Sequence, residues 1–122
     1  MALTIYHYPR CSTCQKALAW LRQHGTTFTE VDLVTTPPTA PQLAAWQRAS
    51  GKPLSAFFNT SGQSYRNGRF KERLATMTEA EKLAALAADG KLVKRPILVR
   101  EHHDQLQVAI GFREAEFRPL IT

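Results

Sequence analysis

The sequence predicts an α/β protein whose sheet contains both parallel and antiparallel strands. Apolar and polar residues alternate in two short segments near the start of the chain, and a helix-like apolar stripe lies between them. This β-α-β order favours a parallel strand pair joined by a right-handed crossover. Towards the other end, two strand-like segments are separated by a polar turn, which is typical of an antiparallel hairpin.

The first strand, helix and second strand each have a clear signal in the sequence. Residues 3–7 alternate between apolar and polar side chains and predict the first strand. A helix is predicted to begin near Cys11 or Ser12 and to end at Gly25, since glycine suits the position just past a helix end. Its buried face follows the i, i+3, i+4, i+7 spacing and consists of Cys14, Ala17, Leu18 and Leu21. Residues 28–33 alternate again and predict the second strand.

Residues 38–90 are predicted to form a helical insertion. Two capping boxes, each a threonine followed three residues later by Gln or Glu, open its helices: Thr39 with Gln42, and Thr78 with Glu81. Gly51 and Gly90 are expected to end these helices, whereas residues 52–68 are predicted to be irregular. Since about 50 residues rarely bury enough apolar surface alone, we expect a single domain over residues 1–122.

The last quarter of the chain predicts a hairpin followed by a helix. Residues 95–99, Arg-Pro-Ile-Leu-Val, have the apolar character of a buried strand. A polar turn over residues 100–105 separates them from residues 106–110, which are predicted to form the antiparallel partner. Residues 114–120 are predicted to form a short final helix.

The composition excludes a disordered chain and a membrane-spanning one. Hydrophobic residues make up 43% of the chain and charged residues 21%, which is ordinary for a globular protein. No apolar run approaches the length of about 18 residues that a membrane span needs. The start of the chain has no basic segment before an apolar core, so we expect no signal peptide. We therefore expect a cytoplasmic protein whose thiols are kept reduced.

The chain has a net charge of +6, for which nucleic-acid binding is one interpretation. The basic residues are scattered, however, and the densest groups lie within residues 66–73 and 91–95. An anionic substrate or a protein partner explains the charge equally well. We expect no nucleic-acid partner and no membrane partner.

The two cysteines of the chain, Cys11 and Cys14, form a CxxC motif where the first helix is predicted to begin. A tetrahedral zinc site needs four ligands, and the four histidines show no recognisable ligand spacing relative to the motif, so we expect no metal site. A second interpretation is that both cysteines are small core residues. It fits Cys14, which lies on the apolar stripe, but it fits Cys11 poorly, because that residue lies in the strand-to-helix turn.

The third interpretation is redox chemistry, since a cysteine reacts as its thiolate. Unpaired backbone N–H groups and the helix dipole stabilise an anion at a helix N-terminus, and Cys11 is placed there. The N–H groups of Thr13 and Cys14 are expected to point towards its sulfur, and Arg10 adds a cation. Such surroundings lower a cysteine pKa. Cys11 is therefore predicted to be the exposed nucleophile, and Cys14 the more buried resolving thiol.

Taken together, these residues resemble the ArsC/Spx family, and the match runs nearly end to end. The strand, active-site loop and first helix of that family are similar to IYHYPRCSTCQKALAWL, and its mid-chain loop is similar to LSAFFNTSGQSYRNG. Its closing strands and end are similar to LVKRPILV followed by LQVAIGFREAEF. The resemblance implies a thioredoxin-like fold with a mixed sheet and a helical insertion.

The resemblance also implies site residues. Pro96 matches the cis proline that faces the active-site cysteine in thioredoxin-fold relatives, and Arg95 matches an arginine that binds anionic oxygens of the substrate. It places Asn59 near the active site. The expected catalytic residues are Cys11, Cys14 and Arg95. The residues expected to contact substrate are Arg10, Ser12, Thr13, Asn59 and Pro96.

The CxxC form resembles small thiol reductases of the YffB/YusI type. It implies a thiol–disulfide oxidoreductase with no tightly bound cofactor, which uses glutathione or another dissociable thiol as reductant. Its expected partners are a small thiol or disulfide, with glutaredoxin or thioredoxin as electron donor. A second branch, Spx, implies instead a redox-sensing regulator that binds the RNA polymerase alpha subunit.

Arsenate reduction is a further alternative within the same family. The glutaredoxin-coupled arsenate reductases use one cysteine in a Cys-Gly-Thr-Ser-Arg pattern, whereas residues 11–15 here read Cys-Ser-Thr-Cys-Gln. Those enzymes surround the oxyanion with three arginines. One of them matches Arg95, but the other two fall near Asn59 and Gly111. The loss of two charge-assisted partners predicts weak arsenate reduction.

Overall fold

A computed structural model of the chain describes residues 2–122. The chain divides into two compact units, one formed by residues 2–32 together with Arg95–Thr122 and the other by Leu33–Lys94. Within the described residues, no helix has both the length and the apolar character that crossing a membrane requires.

The order of the helices and strands is that of an α/β protein. In chain order they are β1 (Ala2–His7), α1 (Ser12–Gln23), β2 (Thr29–Asp32), α2 (Ala40–Ser50), α3 (Gln63–Asn67), α4 (Phe70–Arg73), α5 (Glu79–Ala88), β3 (Ile97–His102), β4 (Gln105–Ile110) and α6 (Glu114–Ile121). Two short 3₁₀ helices lie at Leu54–Phe57 and Gly90–Leu92.

The first unit is built on a four-stranded mixed sheet in the order β2-β1-β3-β4. β1 and β2 are parallel, with Thr4 opposite Thr29, and α1 connects them. β3 is antiparallel to both β1 and β4. The predicted parallel pair, hairpin and mixed α/β sheet are therefore confirmed.

The turn of the β3–β4 hairpin is shorter than the sequence predicted. Its two central residues, His103 and Asp104, have positive φ angles of 49° and 63°. Two successive left-handed residues suit the right-handed twist of the flanking strands and allow a two-residue turn. β3 and β4 therefore extend into the segment 100–105, which was predicted to be turn throughout.

The core of the first unit holds α1 against the sheet. The predicted stripe of α1 is buried, with Cys14, Ala17 and Leu21 fully so. The cluster around it consists of Leu3, Ile5, Ala17, Leu18, Trp20, Leu21, Leu98, Ala109, Phe117 and Leu120. A fully buried aliphatic or aromatic side chain contributes ~1.5–3 kcal/mol relative to exposure. Because so many contacts fix α1, its N-terminal end has a defined position.

The second unit, Leu33–Lys94, contains the predicted helical insertion. Both capping boxes are confirmed. The Thr39 and Thr78 side chains accept the backbone N–H groups three residues on, and the Gln42 and Glu81 side chains accept the backbone N–H groups of these threonines. α2 ends at Gly51, whose φ of 70° lies in the left-handed region that favours glycine.

Two predictions for this unit were wrong in part. The segment 52–68, predicted to be irregular, contains a 3₁₀ helix and the five-residue α3, which is too short to show a helical apolar period. Gly90 was predicted to end a helix, but α5 ends at Ala88 and Gly90 begins a 3₁₀ helix. A Cβ at Gly90 would overlap the backbone carbonyl of Leu33, so glycine is required there for close packing.

Candidate active site

The candidate site forms where β1 leads into α1. Cys11 is the N-cap of α1, with an extended backbone of φ −88° and ψ 120°. Its Sγ accepts the backbone N–H of Cys14 at 3.4 Å, in the position that a Ser or Asp oxygen takes in other helix caps. The Cys11 N–H donates to the Tyr8 carbonyl at 3.0 Å, which closes the loop between strand and helix. The predicted placement of Cys11 at the helix N-terminus is confirmed.

Arg95 lies at the same end of the strands as the loop that carries Cys11, because it precedes β3 whereas that loop follows β1. Because Tyr6 pairs with Ile97 in antiparallel register, the residues that follow β1 lie beside those that precede β3. The Arg95–Pro96 peptide bond is cis, as the resemblance predicted. The half-buried Arg95 has its guanidinium carbon over the Tyr8 ring, 5.1 Å from the ring centroid.

The surroundings of Cys11 favour its thiolate. Burial is the largest single influence on the Cys11 pKa and acts to raise it. Hydrogen bonds from the thiol and the backbone N–H of Cys14 act in the opposite direction, followed by the hydrogen bond and the charge of Arg95. Together they bring the pKa of Cys11 below its ordinary value of 9.0. A larger share of this cysteine is therefore ionised at neutral pH than of a free one.

Cys14 lies in opposite surroundings, although it is only three residues further on. Its side chain is fully buried. Burial is the main cause that raises the Cys14 pKa to about 12, the negative charge of Cys11 adds to it, and a hydrogen bond with the Tyr8 backbone opposes it. Cys14 therefore keeps its proton at neutral pH and donates a hydrogen bond to Cys11. Both cysteines are free thiols.

His7, the last residue of β1, is anchored beside this loop. Its side chain is 5% exposed, and its Nε2 lies 3.0 Å from Glu30 Oε1 in β2. Arg22 lies 3.7 Å from the other Glu30 oxygen. Within residues 2–122, no hydrogen-bond partner is found for His7 Nδ1. The pairing with Glu30 ties the end of β1 to its neighbour and so fixes the start of the loop that carries Cys11.

The remaining predicted substrate contacts are at the surface or in the second unit. Arg10, Ser12 and Thr13 are exposed in or beside the loop, and the interactions that lower the Cys11 pKa come from Cys14 and Arg95 rather than from Arg10. Asn59 lies in the second unit, where its N–H donates to the Leu92 carbonyl at 2.7 Å. Their roles in substrate binding stay predictions.

Sequence reasoning missed Tyr8. No spacing rule marks an aromatic residue between a strand and a Pro-Arg-Cys sequence as functional. Its contact with Arg95 depends on the antiparallel pairing of β1 with β3, which brings together residues far apart in the chain. Among residues 2–122, no group of three His, Cys, Asp or Glu side chains is arranged to hold a metal ion.

Fold and site together define a thioredoxin-like protein with a CxxC thiol pair at the start of its first helix. The model of the ArsC family matches residues 6–120, which is nearly the whole chain. The chain therefore belongs to the ArsC family.

Relatives of different kinds are similar to this chain in sequence. The uncharacterized protein YusI of Bacillus subtilis is 44% identical over 117 residues, which cover 96% of each chain. The regulatory protein MgsR of the same organism is 31% identical over 118 residues, which cover 97% of this chain and 89% of MgsR. The crystal structure of an ArsC family related protein from Bacteroides fragilis matches with a TM-score of 0.92 and 43% identity over 98% of each chain. This structural match confirms the thioredoxin-like fold.

Proposed function

We propose that this protein is a cytosolic thiol–disulfide oxidoreductase in which Cys11 is the nucleophile and Cys14 the resolving thiol. The observation that carries the proposal is the Cys11 sulfur at the N-terminus of α1, where it accepts the Cys14 N–H at 3.4 Å. Its lowered pKa increases the fraction of Cys11 that is thiolate at neutral pH, and its partial exposure leaves it open to attack a substrate.

The reaction proceeds by two exchanges of a thiolate with a disulfide. The Cys11 thiolate attacks one sulfur of a substrate disulfide, which forms a mixed disulfide and releases the other sulfur as a thiolate that takes a proton from water. Cys14 then loses its proton and attacks Cys11 Sγ, which releases the second substrate thiol and leaves a Cys11–Cys14 disulfide. Two electrons have passed from the thiol pair to the substrate. Two molecules of glutathione or one reduced dithiol protein then reduce the Cys11–Cys14 disulfide and are themselves oxidised to a disulfide.

The first exchange is expected to make the resolving step easier, because it removes one of the influences that raise the Cys14 pKa. While Cys11 is a thiolate, its charge adds to the burial that holds the proton on Cys14. In the mixed disulfide Cys11 carries no charge, so this contribution disappears and the Cys14 pKa falls. Direct attack of glutathione on the mixed disulfide is the alternative route to release.

Charged and polar residues around the thiol are proposed to hold the substrate. The guanidinium of Arg95 acts on the Cys11 sulfur and suits a carboxylate or another oxyanion close to it. Arg10 is the second proposed cation, and Ser12, Thr13 and Pro96 are the other proposed contacts in the first unit, whereas Asn59 is proposed from the family resemblance alone. A tripeptide such as glutathione offers two carboxylates for these groups.

A redox-sensing regulator is the second candidate, favoured by the 31% identity with the regulatory protein MgsR. In this alternative, formation of the Cys11–Cys14 disulfide changes the affinity for a protein partner such as the RNA polymerase alpha subunit. It uses the same first oxidation step but needs no turnover.

One comparison separates the two candidates. Purified protein is assayed for reduction of a small symmetric disulfide by glutathione, and separately with reduced glutaredoxin or thioredoxin, with Cys11→Ser as the control. An oxidoreductase turns over and loses activity in the control. A regulator shows no turnover but captures the alpha subunit in only one of its two redox states.

Arsenate reduction is expected to be weak. Of the three arginines that surround the oxyanion in arsenate reductases, two would fall near Asn59 and Gly111, neither of which carries charge. Each lost charge-assisted hydrogen bond removes about 1.5–3 kcal/mol of binding. Turnover of arsenate with glutathione and glutaredoxin is the measurement, and robust turnover at low arsenate would contradict the expectation.

A further inference from the structure

We propose, on the basis of the thiol chemistry proposed above, that Tyr8 is a positioning residue whose ring holds the Arg95 guanidinium beside the Cys11 sulfur. Nothing in the sequence pattern assigns a role to this residue. Three separate contacts in the structure converge on it.

The first contact is between the ring and the cation. The Arg95 guanidinium carbon lies over the Tyr8 ring, 5.1 Å from its centroid, and both side chains are half-buried. A cation in this position is attracted by the negative face of the aromatic ring. The N–H donors of a guanidinium lie in its own plane, and an aromatic ring face takes none of them as a hydrogen-bond acceptor of the carboxylate kind. The ring can therefore hold Arg95 without competing for its hydrogen bonds.

The other two contacts join the Tyr8 backbone to the thiol pair. Its carbonyl accepts the Cys11 N–H at 3.0 Å, and its backbone forms a hydrogen bond that acts on the Cys14 thiol. Tyr8 follows His7, which is fixed to Glu30. The ring under Arg95 thus belongs to a residue whose backbone makes two hydrogen bonds with the thiol pair and which follows an anchored histidine.

A positioning role has a measurable consequence for Cys11. A long arginine side chain has many rotamers, and only those near the sulfur stabilise the thiolate. Removing the ring keeps the Arg95 side chain but takes away one of the contacts that hold it near the sulfur, so its other rotamers become more populated. The thiolate of Cys11 should then lose part of the support that Arg95 gives.

The test is the pH titration of thiolate absorbance in reduced full-length protein, over the range in which tyrosines and Cys14 stay protonated. In Tyr8→Leu the Cys11 pKa should rise, and the thiolate fraction below the wild-type midpoint should fall roughly threefold. Tyr8→Phe keeps the ring face and should titrate like the wild type. An unchanged titration in folded Tyr8→Leu, or a rise in Tyr8→Phe equal to that in Tyr8→Leu, would overturn the proposal.

The Arg95→Ala background distinguishes positioning from a general disturbance of the loop. If Tyr8 acts through Arg95, adding Tyr8→Leu to Arg95→Ala should cause no further rise in the Cys11 pKa. Equal rises in both backgrounds would mean that Tyr8 acts independently of Arg95, which would refute the proposal. Should Tyr8→Leu fail to fold, Tyr8→Met is an unbranched, non-aromatic substitute with the same expectation.

The titration needs no substrate, so its outcome is separate from that of the proposed function. A wild-type protein with no disulfide reductase turnover would remove the oxidoreductase proposal and leave the Tyr8 result standing. An unchanged titration together with normal turnover would remove the role of Tyr8 alone.

Discussion

The N-terminal end of α1 and the buried face of the same helix each carry a cysteine, and they shift its pKa in opposite directions. At the N-terminal end, Cys11 meets a backbone N–H, a neighbouring thiol and the Arg95 guanidinium, and its pKa is lowered. One turn further, burial dominates and raises the pKa of Cys14 to about 12. The difference teaches that position relative to a helix end, rather than residue type, decides which cysteine of this pair has the lowered pKa.

The largest expected effect separates the two cysteines by their roles. Cys11→Ser should lower disulfide reductase turnover roughly a thousandfold or more, because the serine hydroxyl is not ionised at neutral pH. Cys14→Ser should keep the first exchange but accumulate a mixed disulfide on Cys11. Mass spectrometry of the protein after incubation with oxidised glutathione would detect this adduct.

The control for this pair is the reciprocal adduct. Cys11→Ser should form no mixed disulfide on Cys14 while folded, because that thiol is buried and protonated. Rapid adduct formation on Cys14, or none on Cys11 in Cys14→Ser, would reverse the assignment of nucleophile and resolving thiol.

A smaller effect is expected from Arg95, which acts on the Cys11 thiol through a hydrogen bond and through its charge. Arg95→Ala should raise the Cys11 pKa, because both the hydrogen bond and the charge of the guanidinium lower it. Arg95→Lys should restore much of the charge effect but not two-point binding of a carboxylate. The thiolate titration of the two variants, together with their KM for a carboxylate-bearing disulfide, measures the two roles separately.

For Arg95, two results would break the comparison. A Cys11 pKa in Arg95→Ala equal to that of the wild type would show that the guanidinium does not act on the sulfur. A lysine variant that matches the wild type in both titration and KM would show that the planar group has no role.

The smallest expected effect is on stability. A group whose pKa is lower in the folded than in the unfolded state adds stability that is fully present above the unfolded value and lost as pH falls through the folded value. For Cys11, the window lies between its lowered pKa and 9.0. The free energy of unfolding of reduced wild type, minus that of Cys11→Ser, should therefore rise with pH across this window.

Denaturant titrations under reducing conditions at several pH values measure that difference. Cys14 is present in both proteins and burial keeps it protonated in the folded state, so its ionisation in the unfolded state cancels in the difference. A difference that stays flat or falls as pH rises would show that folding does not stabilise the Cys11 thiolate.

Much of the first unit was predictable because its signals are local. Alternation gave β1 and β2, the apolar stripe and Gly25 bounded α1, and the position of Cys11 at the helix start followed from that boundary. The capping boxes of the second unit were likewise read from four-residue patterns.

The features that were missed depend on contacts between distant residues. Tyr8 meets Arg95, and His7 meets Glu30, only because the strands pair as they do. The role of Gly90 is set by the backbone of Leu33, and short helices such as α3 have too few residues to show a period. The importance of Arg95 was available only through the family resemblance, since a lone arginine before a proline has no chemical signature of its own.

The central claim is that the N-terminal end of α1 makes Cys11 reactive by lowering its pKa, whereas burial keeps Cys14 protonated and unreactive. The most direct measurement is the rate at which each cysteine of the reduced, folded protein reacts with iodoacetamide at pH 7, resolved by peptide mass spectrometry and compared with the unfolded protein. Cys11 should react much faster than Cys14 in the folded protein, and the two rates should become similar on unfolding. Equal rates in the folded protein, or faster reaction of Cys14, would contradict the account.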